Sequence, residues 1–169
     1  MDAEAIADKA RKSIGRFCIE ECRSFCCRKC YLVLEEDEVD VVTQGRKAEL
    51  EAKGLLKRLA SGKHSLNMGT SDMACPSLDT GTFRCRIHRH PKRPKTCSNF
   101  PLFIEGKNIL LSPRCLAVRL GMLYPFIARL KMMGYTIIKP EEYSDIELYS
   151  TELINPKGPT DDPGVDIAA

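Results

Sequence analysis

The sequence predicts an α+β fold: a small, irregular, metal-stabilised cysteine-cluster domain with several helices and a short β-hairpin. Three observations lead there. Nine of the 169 residues are Cys, too many for packing alone, where a free Cys acts as a small buried hydrophobe. Helical and strand periodicities flank a stretch, Cys75 to Cys97, that has neither. The rest of the composition is that of one ordinary domain, 43% hydrophobic and 29% charged with net charge +3. That excludes collagen-like and low-complexity chains and argues against global disorder. Aromatic residues are 7% and Trp is absent, so the core must rest on Leu, Ile, Val and Met.

Ile6, Ala10, Ile14 and Phe17 recur at helical spacing and predict a helix over residues 2–17. It runs into the first cysteine cluster. Tyr31 to Leu34 reads as a short strand. Glu35 to Gln44, acidic at its start and apolar at Val39 and Val42, reads as a helix stopped by Gly45. Arg46 to Ala60 continues helically on Leu50, Leu56 and Leu59, weakened by Gly54, and Ser61 to Ala74 reads as loop. Asp79 to Gly81 is a turn signal within the aperiodic stretch. Leu102 to Ile104 and Ile109 to Leu111, around Glu105-Gly106-Lys107-Asn108, form a hairpin pattern. Pro113 then opens a helix lined by Leu116, Leu120, Leu123, Ile127 and Leu130, with Pro125 as a kink or break and Gly134 as its end. Tyr135 to Ile138 suggests a strand and Glu141 to Tyr149 an acidic helix.

The domain division follows the charge. Residues 140–169 carry eight acidic residues against Lys157 alone, a net of −7, which leaves +10 on the remainder. Residues 1–139 are therefore read as the cysteine-cluster domain with flanking helices, and 140–169 as an acidic C-terminal extension, partly disordered. The start of the chain has no apolar stretch of signal-peptide length, and the most apolar region, Leu116 to Met133, is interrupted by Arg119, Arg129 and Lys131. No membrane association is expected, and a cytoplasmic setting follows. There, clustered Cys serve as metal ligands or redox groups more than as disulfides.

The first cluster is Cys18-x3-Cys22-x3-Cys26-Cys27-x2-Cys30. The spacing of Cys18 and Cys22 fits one face of a last helical turn. Neighbouring side chains diverge in both helix and strand, so Cys26 and Cys27 more naturally feed two different metals, or one metal and one structural position. Cys75, Cys85, Cys97 and Cys115 are widely spaced and need a metal to draw their segments together. Cys30 is open to three readings: a spare ligand, a redox partner of Cys27, or packing. Between these cysteines lie Arg84, Arg86, Arg89, Lys92, Arg93 and Lys95 with His88 and His90, and no acid. Four thiolates on one Zn²⁺ leave a net −2, which nearby cations offset. With no aromatic platform in the patch, charge compensation is favoured over nucleic-acid binding. Arg93, ahead of Pro94 and one turn before Cys97, is the expected group on the anionic site. Both His are read as surface residues.

Five motifs in order resemble a known family. Cys22-x3-Cys26-Cys27 followed by Leu32-Val33-Leu34-x2-Asp37, then Cys75-Pro76-x-Leu78-Asp79, Cys85-x-Ile87, Arg93-Pro94-x2-Cys97 and Phe100-Pro101, resemble the CxxCC cysteine-cluster family, the YkgJ-type zinc- or iron-chelating domain. The likeness covers roughly residues 16–118. It departs at Ser24-Phe25, where the family has Gly before the vicinal pair, and at His88, where it has Tyr. The resemblance implies a metal- or cluster-binding domain, and a relative, the flagellin lysine methylase, carries this kind of domain within a larger enzyme. It nominates Cys18, Cys22, Cys26, Cys27, Cys75, Cys85, Cys97 and Cys115 as ligands of zinc or an iron–sulfur cluster.

No nucleotide loop and no Gly-x-Ser-x-Gly is present, so no catalytic residue is named and any enzyme activity must rest on the metal. Three functions follow: a metal-binding module that holds or delivers metal or docks to a protein partner; an iron–sulfur redox or protein-modification component; and a zinc-stabilised nucleic-acid binder. Four thiolates suit zinc and iron–sulfur alike.

Overall fold

The computed structural model describes residues 2–69 and 73–138. The N-terminal apolar stripe makes two helices rather than one. α1 spans Ala3–Ser13, capped by Asp2, whose carboxylate accepts the Ala5 N–H at 2.7 Å. The helix breaks at Ile14, and α2, Gly15–Glu20, restarts it. Arg23 and Ser24 then both take left-handed conformations, φ 52° and 53°. They turn the chain into α3, Phe25–Lys29.

β1, Tyr31–Leu34, is buried along its length, and α4, Glu36–Thr43, follows with a capping box between Glu35 and Glu38. Gln44 and Gly45, at φ 54° and 76°, end it as expected. α5 spans only Lys47–Ala52. The helix expected to reach Ala60 stops because Gly54 takes φ 68°, and Leu56–Arg58 becomes a strand, β2. The expected loop beyond it contains β3, His64–Asn67, the middle strand of an antiparallel sheet ordered β1-β3-β2. Leu66 lies opposite Leu32 on one side and Leu56 on the other. β3 has a single strong apolar residue, so tertiary pairing, not alternation, makes it a strand.

The stretch from Cys75 holds two two-residue strands, β4 (Leu78–Asp79) and β5 (Arg84–Cys85), and a short helix, α6 (Lys95–Asn99). The expected hairpin is present as β6 (Leu102–Glu105) and β7 (Asn108–Leu111), turning at Gly106. β8, Thr136–Ile138, lies parallel to β7. The crossover between them is not one kinked helix. α7 (Leu116–Arg119) ends at Gly121, φ 71°, and α8 (Tyr124–Met132) begins anew with Pro125 in its first turn, where proline is tolerated. Pro113 lies outside α7. Leu123 and Leu130 are buried, whereas Leu120 is 47% exposed. The expected helix at Glu141–Tyr149 and the acidic extension 140–169 lie outside the described residues. No helix among the described residues is long and apolar enough to cross a membrane.

Two apolar cores result. One joins Ile6, Ala7, Ala10 and Ile14 of the N-terminus to Leu102, Ile109, Ala117, Leu123 and Leu130. The other joins Leu32, Leu34, Val39, Val42, Leu50, Leu56, Leu66 and Ile87. Cys18 and Cys115 belong to the first core; Cys75, Cys85 and Cys97 pack against the second.

Candidate metal centre

The left-handed pair Arg23-Ser24 fixes where the first cluster points. Cys18 sits in α2, and Cys22 lies just past that helix rather than on its last turn, its N–H bonded to the Phe17 carbonyl at 2.9 Å. The Ser24 N–H closes the loop on the Cys18 carbonyl at 2.7 Å, and its hydroxyl donates to the Phe83 carbonyl at 2.7 Å. Phe83, itself at φ 55°, lies under the guanidinium groups of Arg23 and Arg28, 6.0 and 5.8 Å from the ring centre. These contacts dock the aperiodic segment onto the turn that precedes Cys26 and Cys27.

One strand of bonds then gathers a sulfur quartet. The Cys75 N–H donates to the Cys27 carbonyl at 2.7 Å, and the Leu78 N–H to the Cys75 carbonyl at 2.8 Å. Leu78 pairs across the ladder with Cys85. The turn between these strands is held by Asp79, whose carboxylate accepts the N–H groups of Gly81 and Thr82. Cys97 joins from α6, where Arg93 donates from Nη2 to the Cys97 carbonyl at 2.9 Å.

All nine cysteines are free thiols. Burial, then the neighbouring Cys27, pushes Cys75 up to about 12. Cys97 rises further for the same reasons, with Cys75 and Cys85 adding to it and Arg93 opposing. Burial raises Cys85 as well. Cys27 goes the other way: the Cys26 thiol donates to it, and Arg93 and Arg28 supply positive charge. Every pair within Cys27, Cys75, Cys85 and Cys97 is thus in electrostatic reach.

A second gathering surrounds Cys18, pushed up to about 12 by burial, then by Cys115, Cys22 and Cys27. Cys26 feels Cys27 first among the sulfurs, then Cys30 and Cys18. Burial raises Cys30, against the Arg114 guanidinium hydrogen-bonded to it. Arg114 also donates to the Tyr31 hydroxyl at 3.1 Å and stacks 4.3 Å from that ring's centre. Sequence reasoning overlooked Arg114, although its place next to Cys115 was a visible signal.

Among the described residues no group of three Cys, His, Asp or Glu side chains stands in metal-holding geometry. The Cys26 and Cys27 sulfurs are 4.0 Å apart. The chemistry of the donor set nevertheless fits a soft cation. Arg93 adds an independent sign: its Nε is buried with no hydrogen-bond partner, beside sulfurs that would accept from it once ionised. Of the cations between Arg84 and Lys95, Arg93 alone is drawn in. Arg84, Arg86, Arg89, Lys92 and Lys95 are exposed, and Arg93, the expected group, faces the backbone of Cys97. His88 and His90 are exposed too, and His90 Nδ1 accepts the Lys92 N–H at 3.1 Å.

Gly69 carries part of the placement. Its neighbour Met68 donates to the Cys30 carbonyl at 2.9 Å, and a Cβ on Gly69 would stand 2.9 Å from the Lys29 carbonyl oxygen. Gly69→Ala must push β3 and the end of α3 apart, with an expected loss of about 1–3 kcal/mol in urea unfolding.

The family model named CxxCxxCC, "Putative zinc- or iron-chelating domain", matches residues 17–116. No curated protein and no solved structure matches the chain. The spacing here, Cys18-x3-Cys22-x3-Cys26-Cys27, is one residue longer in each gap than the family's name spells out. The match covers more than half of the chain and encloses all nine cysteines, from one residue before Cys18 to one after Cys115. The chain belongs to the CxxCxxCC family.

Proposed function

We propose that the chain is a metal-binding protein that holds zinc or an iron–sulfur cluster through the thiolates of Cys18, Cys22, Cys26, Cys27, Cys75, Cys85, Cys97 and Cys115, within one domain spanning residues 1–139. The observation that carries the reading is the quartet Cys27, Cys75, Cys85 and Cys97, mutually in electrostatic reach, with Arg93, its Nε buried and unpartnered, acting on Cys27, Cys85 and Cys97. Bound metal would replace the thiol protons of these buried groups and join segments that share little apolar surface. The resulting anion is offset by Arg93. The nine free thiols suit a reducing, cytoplasmic setting.

Anaerobic purification followed by metal and acid-labile sulfide analysis, with an absorption spectrum, separates the two cofactors. Stoichiometric zinc without sulfide assigns a metal-binding module; iron with matching sulfide assigns a redox or modification component. Absence of both metals from protein purified in this way would overturn the proposal.

Arg93→Gln keeps a polar side chain but removes the charge. Its metal affinity should fall by about 10- to 150-fold, since a hydrogen bond to a charged group contributes about 1.5–3 kcal/mol. Competition with a chromophoric chelator measures this, with exposed Arg84→Gln as the unaffected control. If Arg93→Gln keeps its metal and instead loses a salt-sensitive affinity for DNA or RNA, the basic loop is an interaction surface.

A further inference from the structure

We propose that the acidic segment Glu141–Ile154 folds back on its own chain and docks in the apolar groove formed by α7, α8 and β8. The inference goes beyond the chelating function and does not depend on a bound metal.

The groove lies in the most apolar part of the surface. Every large hydrophobic side chain that is exposed among the described residues falls between Leu120 and Ile137: Leu120, Met122, Tyr124, Met132, Met133 and Ile137. Single exposed apolar side chains are ordinary, but a set confined to one region marks an interaction surface. The region holds a groove of about 380 Å³ whose walls include Val118, Leu123, Tyr124, Ile127 and Ile137, with Lys131 as its one charged group.

Three observations choose the occupant. The first is place. Ile137 lines the groove, and the segment follows it directly in the chain. The six steps from Ile137 to Tyr143 reach at most about 20 Å, more than the roughly 14 Å length of the nine-residue α8. The second is charge. Residues 106–138 hold Lys107, Arg114, Arg119, Arg129 and Lys131 and no acid, a net of +5, against −7 over residues 140–169. Arg129 and Lys131 are exposed on α8. The third is pattern. Tyr143, Ile146, Tyr149 and Leu153 recur at helical spacing, with Glu141, Glu142, Asp145, Glu147 and Glu152 among them. An apolar stripe edged by carboxylates matches an apolar groove edged by cations, as when an amphipathic helix lies in a groove. The basic stretch from Arg84 to Lys95 offers charge too, but no exposed large apolar side chain, so it would leave the stripe uncovered. Tethering sets the segment's effective concentration at the groove on the order of millimolar, so weak contacts suffice.

The test couples carboxylates to lysines in the reduced full chain with a zero-length carbodiimide and maps the linked peptides. Links within one chain from Lys131 to Glu141, Glu142, Asp145, Glu147 or Glu152 are expected. The Ile146→Ser/Leu153→Ser double variant leaves every charge in place and alters no residue of either described core. Its docking should weaken by about tenfold or more. The Lys131 links should fall accordingly, and the fluorescence of added anilinonaphthalene sulfonate should rise as the groove opens. Links made mainly to Lys92 or Lys95 would give the segment to the basic loop. Links only between two chains would give the groove to a second copy. Links unchanged in the double variant would leave charge alone as their cause. Each of these outcomes, and the absence of any link between Lys131 and the segment, overturns the proposal.

Discussion

Removing the metal with a chelator under reducing conditions lowers the melting temperature by tens of degrees or abolishes the cooperative transition. The segment from Cys75 to Pro101 shows why. Its strands β4 and β5 are two residues each, and its buried apolar side chains are few: Leu78, Ile87, Pro76, Pro94 and Pro101. Burying such a side chain contributes about 1.5–3 kcal/mol, far below the cost of ordering the whole segment at about 1–2 kcal/mol per residue. Structural thiolate sites bind zinc with apparent energies of about 10 kcal/mol or more, comparable to the total stability of a domain, roughly 5–15 kcal/mol. A loss of even half that energy is a shift of about 10–20 °C for a chain of this size. Differential scanning calorimetry before and after chelation, with metal content verified on both samples, measures it. An unchanged transition would show that the apolar contacts suffice alone.

Cys97→Ser should reproduce most of that loss in a single substitution. Cys97 interacts with Cys27, Cys75 and Cys85, so its replacement opens the quartet. Serine offers a hard hydroxyl that stays protonated and does not replace a thiolate toward a soft cation. Loss of an outer partner costs a metal site about 10–100-fold in affinity, and loss of a ligand should cost more. Burying a hydroxyl in place of a thiol accounts for only about 1–3 kcal/mol of any destabilisation. The two contributions separate when the metal-free forms are compared: wild type and Cys97→Ser should unfold at similar urea concentrations without metal and far apart with it. Equal metal content in the two proteins would remove Cys97 from the ligand set.

Local signals in the sequence matched the structure where the chain makes its own elements. β1, the stop at Gly45, the hairpin around Gly106 and the end at Gly134 each rest on a few consecutive residues. Tertiary partners decided the rest. His64-Ser65-Leu66-Asn67 is a strand because β1 and β2 flank it, and nothing within those four residues says so. Gly54 and Gly121 terminate helices that the apolar stripes would have carried further, because each turns left-handed where a side chain would resist. For the site, cysteine order and spacing marked the candidate ligands, but the vicinal pair does not diverge as expected: its sulfurs stand 4.0 Å apart. Order and spacing did not show that Arg93 alone of its loop turns inward, or that Arg114 stands at Cys30. Both depend on how the backbone carbonyl of Cys97 and the ring of Tyr31 are placed.

The two cores differ in how far apart along the chain their parts lie, and that sets an order of assembly. One is drawn from residues 32–87, a nearly continuous stretch. The other closes α1 against Leu102, Ile109 and Leu130. During synthesis the continuous core can collapse as soon as β3 has emerged, whereas α1 waits for its partners. At about 5–20 residues per second the interval between Ile14 and Leu102 lasts some seconds. For most of it no cysteine has its buried surroundings; only near its end, once Cys75 and Cys85 have emerged, can Cys27 meet them, while Cys18 still waits for Leu102 and Cys115. Nascent chains should therefore be most vulnerable to oxidation at Cys18 and Cys22, the thiols made earliest and enclosed last.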